Sequence, residues 1–360
     1  MIPTTSDPAL GAEAGPAQHR IRRRRRRRRG TVVLLVALAV VVGAASAAIV
    51  FLGSLATTFD SATQKIPTAF PQNVARPAEE LAADGKTAVN ILLVGSDSRG
   101  AALSQAEAGV PSDQRSDTML LVHIPADRKN AYVISIMRDT WVPIPGRGNA
   151  KVNAAFAFGG VPLMVETVES LLHQRIDHVA LVDFEGFRAV TDAVGGVDVD
   201  VPVPFTAAQS PGYRFAAGRQ KLTGDQALAF VRERYAFPDG DYQRVRDQQI
   251  FVKSLAGQIA RPETLANPFT LSRVVTQLAP YLTVDSGFTS QAVSALAFEL
   301  KDIRPSAIVS FTLPTAGTGV SPDGQSIVIM DEGATEALAA AMSGGTVPQY
   351  VAERNLQNGN

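Results

Sequence analysis

Three continuous apolar runs stand out in the first half of the chain. Residues 88–94 (AVNILLV), 118–124 (TMLLVHI) and 131–137 (AYVISIM) lie between charged or small polar residues, a pattern typical of buried strands. Residues 160–172 instead place apolar side chains at the spacing of one helix face. Strands that alternate with helices predict an α/β domain with a central, mostly buried mixed sheet and helices on both faces.

The same patterns extend the prediction along the chain. We expect further strands at 179–184, 197–203, 307–313 and 326–330, and helices at 187–194, 241–259, 269–282, 290–300 and 333–342. Between them, Arg232 and Arg234 lie two positions apart. We interpret this pair as strand residues, whose guanidinium groups would share one face because strand side chains alternate. Asp241 is expected to cap the helix that follows.

The N-terminal region has a different pattern. Residues 31–58 contain no charged side chain, and at about 1.5 Å per residue they could span about 42 Å, more than the roughly 30 Å of a bilayer core. Residues 1–30 carry nine arginines against Asp7 and Glu13, a net charge of +7, and since the whole chain is neutral the remainder carries −7. Basic residues before a span predict a single-pass protein of the cell membrane, with a cytoplasmic N-terminus and an extracytoplasmic domain.

Two other interpretations of this region are less favoured. An arginine run can bind nucleic acid, but one that borders an apolar span is more often a topology signal, so we expect no nucleic-acid partner. A cleaved signal peptide would have a shorter apolar core than residues 31–58. We therefore expect an uncleaved signal anchor.

These patterns divide the chain into five predicted parts. They are a basic cytoplasmic tail (1–30), a transmembrane anchor helix (31–58), a proline-containing linker (59–87), a catalytic domain (88–345) and a polar C-terminal tail (346–360).

Charged residues cluster at the ends of the predicted strands, where ligands usually bind in α/β folds. The first strand is followed by Asp97 and Arg99, the second is preceded by Arg115 and Asp117, and the third is followed by Arg138 and Asp139. Two carboxylates in such positions suit a hard cation such as Mg²⁺. Salt bridges between these aspartates and arginines are the structural alternative.

Further cationic and amide side chains extend this set. Lys151 and Asn153 follow shortly after, and Arg244 and Gln248 lie one helical turn apart. Arginines that converge repel one another unless an anion lies between them, and phosphate is the natural partner because the guanidinium fork binds it through two hydrogen bonds. Solvated arginines paired with nearby carboxylates are the alternative.

Other chemistries are not supported by the sequence. The absence of cysteine excludes disulfides and thiolate sites. No Gly-x-Ser-x-Gly motif occurs, and His123, His173 and His178 lack metal-ligand spacing.

Taken together, the motifs resemble those of the LytR-CpsA-Psr family over about residues 88–260. They are GSDSR at 95–99, RSDT at 115–118, IMRDT at 136–140, KVNAA at 151–155, and Arg232-x-Arg234 followed by Arg244 and Gln248. The resemblance implies a phosphotransferase that moves a wall glycopolymer from a polyprenyl-pyrophosphate carrier onto peptidoglycan through a phosphodiester.

The resemblance also implies roles for individual residues. Asp97 and Asp117 would hold Mg²⁺ or Mn²⁺. The catalytic arginines would be Arg99, Arg115, Arg138, Arg232, Arg234 and Arg244. Lys151, Asn153, Gln248 and Asp139 would bind substrate, and an apolar channel between sheet and helices would hold the polyprenyl chain. Asp139 and Asp117 are also the candidates for the general base. A membrane-anchored regulator that binds polyprenyl phosphate or polyanions, and a lipid-linked pyrophosphatase, remain the alternatives.

Overall fold

The computed structural model describes residues 46–79, 81, 85–96, 116–265 and 267–357. Its strands are β1 Gln64–Ile66, β2 Val89–Ser96, β3 Ser116–Ile124, β4 Ala131–Ile136, β5 Thr140–Ile144, β6 Gly148–Lys151, β7 His178–Asp183, β8 Val197–Val201, β9 Phe205–Thr206, β10 Arg214–Phe215, β11 Gly218–Leu222, β12 Leu282–Asp285, β13 Ile308–Thr312, β14 Thr315–Val320 and β15 Ser326–Met330. Its α-helices are α1 Ser46–Ala62, α2 Ala154–Leu172, α3 Phe184–Ala193, α4 Gly224–Arg232, α5 Asp241–Ile259, α6 Pro262–Leu265, α7 Pro268–Leu278, α8 Ser290–Glu299, α9 Glu332–Ser343 and α10 Val347–Glu353.

A seven-stranded mixed sheet organises the domain. Its strand order is β1-β12-β7-β2-β3-β4-β13. β2 is antiparallel to β3 and parallel to β7, and β13 is parallel to β4. A second sheet has four strands in the order β14-β15-β5-β6, and its strand β5 comes shortly after β4 in the chain. The predicted mixed α/β fold is therefore confirmed.

One face of the large sheet packs against α2. Leu92 of β2 and Leu121 of β3 are fully buried there, together with Val165 and Val168 of α2. The C-terminal helices α9 and α10 add Leu338 and other apolar side chains to the same cluster. Because strand side chains alternate, the next residue of each strand points to the opposite face. That face is covered by α3, α4, α5 and α7.

The apolar helix α2 also has the length and composition of a membrane span, but 61% of its apolar window is buried inside the domain. It is the core helix of the packed face. The predicted anchor at 31–58 falls mainly outside the described residues, and its last part belongs to α1, which is apolar but shorter than a span. The anchor and its topology remain predictions.

The predicted strand for Arg232 and Arg234 is wrong. Arg232 is the last residue of α4, and extended backbone begins only at Glu233. A capping box between Thr223 and Gln226 starts the helix, and the apolar residues that follow lie on one helical face. Asp241 is also not the cap of α5, because Gly240 occupies that position and Asp241 lies in the first turn.

Two segments predicted to lie outside the domain contribute to its fold. The proposed linker contains β1, which pairs in parallel with β12 at the edge of the large sheet, and its Ile66 joins the core. The proposed polar tail contains α10, whose Val347 and Tyr350 are buried in the same core. Both elements are short, with three residues in β1 and seven in α10, and they lie in segments rich in polar residues, so their few apolar side chains gave no clear periodic pattern.

Candidate functional site

An elongated cavity of about 400 Å³ lies between the large sheet and the helices that cover its second face. The sheet contributes Leu93, Gly95, Leu120 and Val182. The helices contribute mainly apolar side chains, among them Phe184, Phe187 and Val190 of α3, Leu228 and Val231 of α4, Phe251, Val252, Leu255 and Ile259 of α5, and Leu278 of α7.

The cavity is polar at one end and apolar at the other. Helix α5 runs along it, and six of its side chains line the wall, from Arg244 near its start to Ile259 at its end. The fifteen residue steps between these two correspond to about 22 Å. Arg244 and Gln248 belong to the beginning of α5, whereas Leu255 and Ile259 belong to its end. The shape suits a long apolar ligand with an anionic head.

Four of the six predicted catalytic arginines line this cavity. They are Arg138, Arg232, Arg234 and Arg244, and the predicted substrate-binding residue Gln248 lines it as well. Arg138 directly follows Met137, which packs with Val245 of α5. The side chain of Gln248 donates a hydrogen bond of 3.1 Å to the Val231 carbonyl at the end of α4. These contacts bring the three sequence-distant segments to the same end of the cavity.

Aromatic rings support the Arg232 and Arg234 side chains. The Arg232 guanidinium lies 4.4 Å from the ring centroid of Phe184, the first residue of α3. The Arg234 guanidinium lies 4.6 Å from the Tyr235 ring and donates a 2.6 Å hydrogen bond to its hydroxyl. Such contacts orient a guanidinium group without neutralising its charge. The charge therefore remains available to an anion.

Glu233, between the two arginines, has a different environment. It is 1% exposed, and its carboxylate accepts 2.6–3.4 Å hydrogen bonds from the backbone N–H groups of Ala208, Gln209, Arg234, Tyr235 and Ala236. Burial raises the pKa of Glu233, but the hydrogen bonds from the backbone N–H groups of Ala236, Ala208, Tyr235 and Gln209 outweigh burial and hold the pKa below its ordinary value. Glu233 thus binds backbone and fixes the loop that follows α4 and carries Arg234.

Arg244 is held in place from its own helix. Its side chain is 8% exposed and forms a 2.6 Å ion pair with Asp241, three residues earlier. The neighbouring Tyr242 hydroxyl lies 3.2 Å from the Thr315 hydroxyl of β14. The first turn of α5 is therefore attached to the small sheet as well as to the cavity.

Asp139 connects the cavity to the small sheet. One of its carboxylate oxygens lies 3.1 Å from the Lys151 ammonium, and the other lies 3.6 Å from Nε of Arg138. Asn153 is 4% exposed, and its backbone N–H donates to the Arg138 carbonyl at 3.2 Å. The predicted substrate-binding residues Lys151 and Asn153 therefore adjoin Arg138, although the cavity wall does not include them.

The remaining predicted residues cannot be placed in the same way. Asp97, Arg99 and Arg115 lie outside the described residues, and only the backbone of Asp117 is described. Within the described residues, no group of three or more histidine or acidic side chains could hold a metal ion. The backbone register pairs Gly95 with Thr118 at the wall of the cavity, so Asp117 belongs to a strand end beside the site.

The family model described as the LytR_cpsA_psr family matches residues 53–344. The chain belongs to the LytR-CpsA-Psr family. The prediction of family membership from the motifs is thereby confirmed.

Two curated relatives of this LytR-CpsA-Psr protein carry functional names. The cell wall biosynthesis protein LcpA of Corynebacterium glutamicum is 32% identical over 288 residues, which cover 69% of this chain and 54% of LcpA. The polyisoprenyl-teichoic acid–peptidoglycan teichoic acid transferase TagU of Bacillus mycoides is 42% identical over 164 residues, which cover 45% of this chain and 50% of TagU. The chain thus spans about half the length of these curated relatives.

A solved structure supports the fold. The crystal structure of TagV from B. subtilis superposes with a TM-score of 0.60 and 25% identity, covering 72% of this chain and 97% of TagV. The mixed α/β architecture described above is therefore that of the family.

Two residues of the site region were not predicted from the sequence. Phe184 supports Arg232, and its signal was only an aromatic residue at a strand end. Asp247 is 1% exposed and receives a 2.8 Å hydrogen bond from the Gln243 amide. Burial raises the pKa of Asp247 to about 7. In the sequence, Asp247 is only a charged residue one turn from Arg244, and nothing in that pattern indicates that it is buried.

Proposed function

We propose that this LytR-CpsA-Psr protein transfers a wall glycopolymer from a polyprenyl-diphosphate carrier onto peptidoglycan, with formation of a phosphodiester. The observation that carries the proposal is the cavity, which combines four arginines at one end with an apolar wall that extends about 12 Å along α5, from Phe251 to Ile259. The name of TagU, a teichoic acid transferase, points to the same class of reaction, and the name of LcpA points to cell wall biosynthesis.

The cavity suits such a donor because its two ends match the two parts of the molecule. Arg138, Arg232, Arg234 and Arg244 would bind the diphosphate through charge-assisted hydrogen bonds. The apolar residues from Leu228 to Ile259 would remove the isoprenoid chain from water. Only the first part of a long polyprenyl chain fits in 400 Å³, so the remainder would extend beyond the cavity.

The reaction exchanges the phosphoanhydride bond of the diphosphate for a phosphate ester bond to the acceptor. The oxygen of an acceptor hydroxyl forms a bond to the phosphorus that bears the glycopolymer. The bond between this phosphorus and the oxygen bridging the two phosphates breaks, and polyprenyl monophosphate leaves with the electron pair. The acceptor proton passes to a base or to water. Arginines around the diphosphate stabilise the negative charge that shifts onto the leaving group, which is the main task in phosphoryl transfer.

Asp139 is our candidate for the residue that accepts this proton. Its carboxylate lies between Lys151 and Arg138 at the polar end. Asp117, at the neighbouring strand end, is the alternative. A divalent cation such as Mg²⁺, bound through Asp97 and Asp117, would supply additional charge neutralisation at the diphosphate. These roles rest on motif positions.

A lipid-linked donor would also account for a membrane anchor. The predicted span at 31–58 would keep enzyme and donor on one surface, and the basic residues before it would leave the cavity-bearing domain outside the cytoplasm.

The test is transfer by the full-length chain in detergent micelles. The substrates are a polyprenyl-diphosphate-linked oligosaccharide, soluble peptidoglycan glycan strands and Mg²⁺. We expect the double variant Arg232→Ala/Arg234→Ala to lose transfer by about 10²–10³-fold while its circular dichroism stays that of the wild type. Arg219→Ala is the matched control, because Arg219 is paired with Asp198 on the exposed side of β11. Wild-type rates in the folded double variant would contradict the proposal.

The products distinguish the alternatives in the same assay. Glycopolymer joined to glycan indicates a transferase. Free phosphorylated sugar indicates a pyrophosphatase, and donor that is retained intact indicates a lipid-binding regulator. Only the first product supports the proposed function.

A further inference from the structure

The small sheet carries a row of side chains that lie next to one another across its strands. Lys151 of β6 pairs with Trp141 of β5, and Trp141 pairs with Ile329 of β15. Ile329 in turn pairs with Gly317 of β14. Directly paired residues point to the same face of a sheet, so Lys151, Trp141 and Ile329 form one continuous row. We call it the tryptophan row.

The tryptophan row lies on the outer face of the small sheet. The adjacent residues of β5, Val142 and Ile144, are buried in the core with α2. Trp141 alternates with them and is half-buried, and Ile329 is 42% exposed. An indole ring that points away from the core and still exposes part of its surface is available to a ligand.

Two glycines keep one side of the row open. Gly317 has a φ of +112°, and a Cβ atom at this position would meet no other atom within 4 Å. A Cβ at Gly319 would lie 2.9 Å from Cδ1 of Ile329, so the isoleucine side chain lies over that glycine. Without side chains from β14, the surface beside Trp141 and Ile329 remains low and open.

The tryptophan row leads directly to the polar end of the cavity. Lys151, its first member, lies 3.1 Å from Asp139, and the same carboxylate reaches Arg138 at 3.6 Å. Arg138 lines the cavity wall. A ligand on the row would therefore adjoin the position proposed for the diphosphate.

We propose that the tryptophan row is the acceptor subsite, where a sugar ring of a peptidoglycan glycan strand stacks on Trp141. This inference rests on the proposed function. A pyranose ring has an apolar face of C–H groups that packs on an aromatic ring, and its hydroxyl and amide groups lie at the edge. Ile329 extends the apolar surface to the neighbouring part of the glycan, while Lys151 borders its polar edge. The site thus binds the acceptor on one side of the arginines and the donor on the other.

The sequence offers a direct probe of this site, because Trp141 is the one tryptophan of the chain. We would titrate the full-length protein in detergent with a tetrasaccharide of alternating N-acetylglucosamine and N-acetylmuramic acid, and record tryptophan emission. A saturable change in emission is expected. Ile329→Ser should weaken binding about tenfold. Val320→Ser is the matched control, because Val320 is 73% exposed and alternates to the other face of β14.

Transfer kinetics test the same site independently of fluorescence. Trp141→Ala should raise the KM for the glycan acceptor about tenfold and leave the KM for the lipid-linked donor unchanged. Trp141→Phe should restore most of the loss, because a second aromatic ring can still stack. A merely structural role would change both KM values or the stability of the protein, and it would not separate donor from acceptor.

Three results would overturn the inference. They are an emission that glycan does not change, equal weakening by Ile329→Ser and Val320→Ser, and an acceptor KM that Trp141→Ala leaves unaltered. If Trp141→Ala does not fold, Ile329→Ser provides the kinetic test. Failure of the proposed function looks different, because the wild type would then form no joined product even if the tetrasaccharide changed the emission.

Discussion

The two faces of the large sheet are built from neighbouring residues of the same strands, yet one is filled and the other is not. Leu92 and Leu121 are 0% exposed beneath α2. Leu93 and Leu120, directly beside them, border a cavity of about 400 Å³. The residue types are the same. The faces differ in whether the covering helices leave open space over the strands.

The covering helices explain this difference. On the filled face, α2 presents the branched side chains Val165 and Val168, both 0% exposed, which pack in one cluster with Leu92 and Leu121. On the other face, Arg244 and Gln248 near the start of α5 are buried and have polar partners, the Asp241 carboxylate and the Val231 carbonyl. The apolar wall of the cavity therefore lies under a cover whose buried polar side chains have their own partners, whereas the filled face lies under an apolar helix.

The strongest test of the comparison is to add the same volume on each face. Val252→Phe enlarges a side chain that lines the cavity, so we expect the protein to stay folded and to lose donor-dependent transfer by at least about 100-fold. Val165→Phe enlarges a side chain of the filled face and should reduce the free energy of unfolding by about 1–3 kcal/mol. Urea unfolding and the transfer assay measure both variants. Equal stability losses would show that the cavity is not accessible space.

Removing volume should destabilise the filled face more than the cavity face. Its effect on transfer activity should be smaller than that of Val252→Phe. Leu92→Ala leaves a hole in a close-packed core, so the free energy of unfolding should fall by about 2–5 kcal/mol. Leu93→Ala removes a half-buried side chain that already borders open space, and about 1 kcal/mol is expected. The two residues are adjacent in sequence, which makes each the control for the other. A larger loss for Leu93→Ala would invert our assignment of the faces.

A pH-dependent difference is expected from two buried titratable groups on opposite sides of the sheet. Asp247 of α5 has its pKa raised by burial to about 7 from 3.8, so the folded state binds the proton more tightly. The free energy of unfolding therefore falls as pH rises from about 4 to about 7, because the unfolded state loses the Asp247 proton before the folded state does. Asp247→Asn should therefore stabilise the protein at pH 8, by on the order of 1–3 kcal/mol, and have little effect at pH 4.

His123 of β3 titrates in the opposite sense. Burial, and to a lesser degree the charge of Arg128, lower its pKa to about 4 from 6.5, so its contribution to stability is lost as pH falls through that range. His123→Gln should remove this acid sensitivity. Urea unfolding between pH 4 and pH 8 separates the two groups, and a stability of Asp247→Asn that does not vary with pH relative to the wild type would contradict the assignment to Asp247.

Local patterns predicted the regular elements well where they were long or strongly apolar. The bounds expected for 241–259 and 326–330 are those of α5 and β15, because helical spacing and a short branched apolar run are each unambiguous over those lengths. Local spacing gave the wrong prediction for Arg232. The spacing of the two arginines suggested a strand, but a capping box and a buried apolar face place Arg232 in α4. Local patterns also missed β1 and α10, which are too short to form without their partners.

The amino-acid sequence by itself determined the α/β class, the uncharged N-terminal stretch and the set of arginines, since each is written in composition or local spacing. Tertiary structure alone decided that Arg138, Arg232, Arg234 and Arg244 share one cavity and that Glu233 turns inward to bind backbone. It also decided which face of the sheet is filled. The physical reason is that convergence and packing depend on contacts between segments far apart in the chain, whereas propensity and periodicity act over a few neighbouring residues.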